Sequence, residues 1–135
     1  MENYKCAFSG ALIGKQYGCQ YALEVTRREG PSIACTSANL HEQCALLMVE
    51  LKAAAIPHFG FEDDLTQMPH SVIMKIQSGG LAALQKCMHK APSLEPVENI
   101  ASLVVDAAQR YDGFSAIPYS ELVTDIIGFK LRRRR

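Results

Sequence analysis

The sequence predicts an α/β domain: a mixed five-stranded sheet with helices on both faces, in which three antiparallel strands precede strand–helix alternation. Three observations carry this expectation. Residues 19–28, CQYALEVTRR, alternate Tyr21, Leu23 and Val25 against Gln20, Ala22 and Glu24, the period of a half-buried strand. Leu40, Cys44, Leu47, Met48 and Leu51 recur at three- and four-residue spacing and draw one apolar helical stripe. Residues 71–77, SVIMKIQ, are nearly all apolar and include β-branched members, the pattern of a strand covered on both faces.

The remaining elements follow in order. Residues 4–13, YKCAFSGALI, are short and apolar-rich and read as a first strand. Glu29-Gly30-Pro31 is a turn signal, and residues 32–37, SIACTS, supply the third strand of a meander. Ser37 or Asn39 caps the helix that reaches about Ala55, and Pro57 stops it. After an acidic loop over 58–70 and the strand 71–77, Ser78-Gly79-Gly80 turns into a helix from Leu81 to about His89. Glu95-Pro96-Val97-Glu98 opens a helix to Arg110, which Asp112-Gly113 ends. Residues 113–119, GFSAIPY, give a last strand, and Ser120 caps a final helix to about Lys130. A single domain over 1–129 and a disordered basic tail over 130–135 are expected.

Composition narrows the function classes. With 48% hydrophobic and 21% charged residues, the balance is that of a globular chain rather than a disordered one. Polar-free runs such as 45–49 and 53–57 are too short to cross a bilayer, and no basic start leads into an apolar stretch. The five cysteines are odd in number and form no CxxC, which speaks against a disulfide framework or a structural zinc site and for free thiols in a reducing cytoplasm. Lys130 and Arg132 to Arg135 hold five of the fourteen basic residues, leaving nine against fourteen acidic ones in the body. A body of that sign is no electrostatic nucleic-acid binder; Arg132, Arg133, Arg134 and Arg135 are the candidate nucleic-acid contacts.

Several strings, in this order, resemble the ribonuclease H family over nearly the whole chain. FSGALIGKQYGCQYALEV, residues 8–25, has the shape of that family's first strand, Gly-rich loop and second strand. NLHEQCAL, residues 39–46, is similar to its first helix, VIMKIQSGGLAALQ, residues 72–85, to its fourth strand and following helix, and SELVTDII to its last helix. The resemblance implies a ribonuclease H-like fold, with acids from the first strand, the first helix, the fourth strand and the last helix meeting to hold two Mg²⁺ ions. Carried over, these positions are Ser9, Glu42, Gln77 and Asp125. Ser9 and Gln77 bring no charge, and two carboxylates cannot neutralise two divalent ions. The implied site is therefore degenerate. No cofactor is expected beyond weak Mg²⁺ or Mn²⁺ at Glu42 and Asp125.

Other motifs are weaker. Glu62, Asp63 and Asp64 read as a solvated loop. His41 and Cys44 lie one turn apart and could present two soft ligands, but no further pair at ligand spacing accompanies them. Gly10 to Lys15 lacks the spacing and the Ser or Thr of a phosphate loop. Gly79-Gly80 reads as a tight turn. The functional expectation is a catalytically degenerate binding module for a protein or nucleic-acid partner. The alternative is a divergent metal-dependent nuclease acting on RNA or an RNA/DNA hybrid. The β-β-β-α start also looks like double-stranded RNA-binding modules, a reading that leaves 71–135 unexplained.

Overall fold

A computed structural model describes residues 4–13, 17–28, 30–59 and 70–129. The acidic run Glu62 to Asp64, the Gly14-Lys15 pair and the tail 130–135 lie outside the described residues. A two-residue strand β1 (Tyr4–Lys5) is followed by a short helix α1 (Ser9–Ile13), then strands β2 (Ala22–Arg27) and β3 (Gly30–Cys35). Helix α2 (Ala38–Ala55) runs on into a 3₁₀ turn over Ile56–Phe59. Helix α3 (His70–Met74), a π-helical segment (Lys75–Gly79) and α4 (Gly80–His89) follow without a break. Helices α5 (Ile100–Arg110) and α6 (Tyr119–Gly128) are the last described elements.

The described residues do not form the five-stranded mixed sheet expected from the sequence. The sheet is small, antiparallel and ordered β1-β3-β2, with Tyr4 and Ala22 on either side of Cys35 and a hairpin closing at Arg27 opposite Gly30. Most of the described chain is helical. Two of the expected strands are absent and the first is cut to Tyr4–Lys5, each for a physical reason.

Residues 71–77 are helical and lead into an enclosed stretch. From Ile76 to Leu84 every residue is buried, so the helix has no solvent face and its sequence shows no period that distinguishes it from a covered strand. Gly79 and Gly80 are not a turn; both have ordinary right-handed helical backbone. They are there for clearance. A Cβ on Gly79 would sit 3.3 Å from the Ile126 backbone of α6, and one on Gly80 would sit 2.9 Å from the Leu51 side chain of α2.

Residues 4–13 leave the sheet after Cys6. The Ser9 N–H donates to the Cys6 carbonyl and α1 begins, which drives Phe8, Ala11 and Leu12 into the core. Residues 113–118 form turns and bends, and Tyr119 already begins α6. Asp112 and Gly113 both adopt positive φ, the Gly113 N–H donates back to the Ala108 carbonyl, and Pro118 has no N–H to give a ladder.

The expected helices are found, with shifted starts. Ser37 is the N-cap of α2, its Oγ accepting from the Leu40 N–H at 3.2 Å. Helix α5 starts at Ile100 rather than near Glu95 because tertiary hydrogen bonds occupy the chain before it. The Gly18 N–H donates to the Val97 carbonyl at 3.0 Å, and the Ile100 N–H donates to the Gly18 carbonyl at 2.7 Å. Beside them Asn99 accepts from the Gln20 N–H and donates to the Gln20 side chain. This clasp ties the segment leading into β2 to the start of α5.

Position 18 tests the clasp. A Cβ there would lie 2.5 Å from the Glu98 carbonyl oxygen, a backbone atom that no rotamer change moves away. Gly18→Ala is expected to lower unfolding stability by about 1–3 kcal/mol, as overpacking does. Gly128→Ala, with nothing within 4 Å of the new Cβ, should leave it unchanged or raise it by up to about 1 kcal/mol. Chemical denaturation of the two variants checks this; equal midpoints would remove the clasp as a constraint.

Candidate functional site

The four positions carried over from the resemblance are spread over α1, α2, the π segment and α6, and two of them, Gln77 and Asp125, have structural partners. Ser9 opens α1 and is half-buried. Gln77 is buried in the π segment, where its Oε1 accepts from the Ala11 N–H of α1 at 3.3 Å. Ser9 and Gln77 thus belong to neighbouring elements, joined through Ala11. Asp125 faces α4 instead, its two oxygens 3.4 and 3.3 Å from Lys86 Nζ. That pair is about one-third exposed, so it adds at most about 1 kcal/mol. Glu42 is exposed on the first turns of α2. Among the described residues no three His, Cys, Asp or Glu side chains form a group that could hold a metal ion.

What the fold does assemble is a cluster of thiols. Cys6 follows β1, Cys19 precedes β2, Cys35 ends β3 and Cys44 lies on α2. All four line one cavity of about 10 Å³, closed further by His41, Tyr21, Leu40 and Ile100. The fifth cysteine, Cys87, stands apart on α4 beside the Tyr111 hydroxyl, and all five are free thiols. Cys35 donates its S–H to the Ser37 carbonyl at 3.3 Å.

Burial pushes the Cys6 thiol up to about 11, with Cys19 and Cys35 raising it further and a backbone hydrogen bond from Phe8 opposing them. Cys44 is pushed up more strongly, first by burial and then by the proximity of Cys6, Cys19 and Cys35. Cys6 and Cys44 are therefore held in the thiol form and are poor nucleophiles. Sequence spacing could not reveal this cluster. His41 and Cys44 were visible as a one-turn pair, but their companions come from three strand ends that only the tertiary fold brings over α2.

A second polar centre lies at the core of the helices. The Tyr17 hydroxyl donates to the Ser78 carbonyl at 2.8 Å, and burial raises its ionisation to about 12. Cys6 and Tyr17 hold their protons more tightly folded than at their ordinary values of 9.0 and 10.0. Their contribution is fully present below those values and is lost as pH rises through about 11 and about 12. The urea midpoint is expected to stay level through neutral pH and then fall across that alkaline window. Tyr17→Phe should make the fall shallower and cost about 0.5–1.5 kcal/mol at neutral pH for the lost hydrogen bond. A midpoint independent of alkali would contradict this assignment.

Compared with known proteins, the chain matches no family model, no curated protein and no solved structure.

Proposed function

We propose that this chain is a non-catalytic binding domain that engages a protein partner. The supporting observation is how the residues aligned with a hydrolytic centre are used. Gln77 is neutral and committed to the α1 backbone, Ser9 is neutral, and Asp125 is held by Lys86. Glu42 is then a single exposed carboxylate, and one carboxylate cannot position two Mg²⁺ ions for phosphodiester hydrolysis.

A protein partner is favoured over nucleic acid by the acidic body, whose excess of carboxylates repels a phosphate backbone. The contact surface is the outer stripe of α2. Leu46 is 58% and Val49 61% exposed, in line with Glu42 and Ala53. Leu46 and Val49 lie on adjacent turns of one exposed helix face. The five free thiols favour a reducing compartment such as the cytoplasm. No helix among the described residues is long and apolar enough to cross a membrane.

Two measurements test the reading. The full chain, incubated with an RNA/DNA hybrid or single strands and Mg²⁺ or Mn²⁺, should cleave none of them. Metal-dependent cleavage abolished by both Glu42→Gln and Asp125→Asn would reinstate a divergent nuclease. A photo-crosslinking side chain at position 46 or 49, in the native cell, should give an adduct of discrete mass. The same group at the exposed Gln109 of α5 should not. Equal labelling from both faces would sink α2 as the interface.

A further inference from the structure

We propose that the outer edge of β2 pairs antiparallel with β2 of a second copy of this chain, joining the two small sheets into one across a twofold axis. Among the described residues the sheet order is β1-β3-β2, so β2 bonds β3 on one side only. The central strand fixes which groups face outward. The Cys6 N–H donates to the Ile33 carbonyl, so Ile33 bonds toward β1 and its cross-strand partner Glu24 is not bonded to β3. The Thr36 N–H donates to the Tyr21 carbonyl, which puts the odd-numbered residues of this segment in the ladder. By alternation, Ala22, Glu24 and Thr26 aim their backbone groups at the outer edge. The Cys19 carbonyl takes the Ala22 N–H. Glu24 and Thr26 each present a donor and an acceptor.

Such an edge is a template for an extended strand. Charge selects the occupant and the register. Antiparallel pairing about a twofold axis sets outward-bonding residues opposite one another, which leaves few registers. With Glu24 on the axis, two carboxylates oppose each other and repel. With Val25 on the axis, Glu24 faces an uncharged Thr26. With Thr26 on the axis, Glu24 of each copy lies opposite Arg28 of the other, giving two Glu–Arg pairs around a Thr–Thr pair. Glu24, Thr26 and Arg28 are all exposed. The edge is thus complementary to itself in charge, which favours a second copy over a foreign strand. Leu23, 43% exposed on the other sheet face, lies in this register beside the second copy's turn and is partly covered by it. The surface is separate from the α2 stripe and does not depend on the partner proposed there.

The experiment is sedimentation of the reduced full-length chain from micromolar to millimolar concentration. The expected result is a monomer–dimer equilibrium that weakens as salt is added, because exposed ion pairs are screened. Glu24→Arg or Arg28→Glu alone turns both attractive pairs repulsive and should raise the dimer dissociation constant at least about tenfold. The two changes combined should restore it. These side chains are exposed, and circular dichroism checks that each variant folds. Leu46→Asp on α2 should leave the equilibrium unchanged. Oxidative cross-linking tests the register. Thr26→Cys brings two thiols together on strands whose opposed Cα atoms are about 5.5 Å apart, and should give a covalent dimer above the wild-type background. Glu24→Cys, with its counterpart roughly 13 Å away along the strand, should not. A chain that stays monomeric at millimolar concentration overturns the proposal. So does a dimer that ignores the single charge reversals, is not rescued by the double one, or is lost with Leu46→Asp, and so does equal cross-linking from positions 24 and 26.

Discussion

Gly79 and Gly80 let two helices approach closely the 70–89 rod, whose middle, Ile76 to Leu84, is buried. Leu51 of α2 fills the clearance over Gly80, and Ile126 and Phe129 fill that over Gly79. Most of the helical packing depends on this contact. Ile76, Leu81 and Leu84 lie fully covered, as do Leu47 and Leu51 of α2 and Leu122 and Ile126 of α6. Each such side chain contributes about 1.5–3 kcal/mol by leaving water. A helix enclosed on all sides must also satisfy its polar groups internally. Gln77 does so through α1, and the Ser78 carbonyl through Tyr17.

The sheet is secured differently. It is too small to supply its own core, and it reaches the helices through α1, through the Gly18 clasp to α5, and across the thiol-lined cavity to α2. The helical layer is held by packing and the sheet layer by a few specific links. The two layers therefore differ in what would loosen them: side-chain volume in one, a few hydrogen bonds in the other.

The helices with one wet face were legible in the sequence. The Leu40 to Leu51 stripe marked α2, and Ser37 marked its start. The rod was not legible, because complete burial erases the periodic contrast from which helix and strand are told apart. The brevity of α1 hid it inside an apolar stretch that reads as a strand. The start of α5 was displaced by hydrogen bonds from residues some eighty positions away, which no local signal records. The carried-over site positions aligned as strings, but the sheet that would have assembled them is absent. The thiol cluster had no motif because its members are spaced by the tertiary path of the chain.

The π segment Lys75–Gly79 sets a register. A π turn holds one residue more than the α turn it replaces, so α4 is rotated relative to α3 by the angle of one residue, about 100°. Deleting a single residue there would restore an uninterrupted α-helix and swing Leu81 and Leu84 away from their present neighbours. The glycine pair would then face the wrong helices. The rod therefore tolerates substitution better than change of length: a frameshift of one position within it would act as a wholesale rewiring of the core, however conservative the residues on either side.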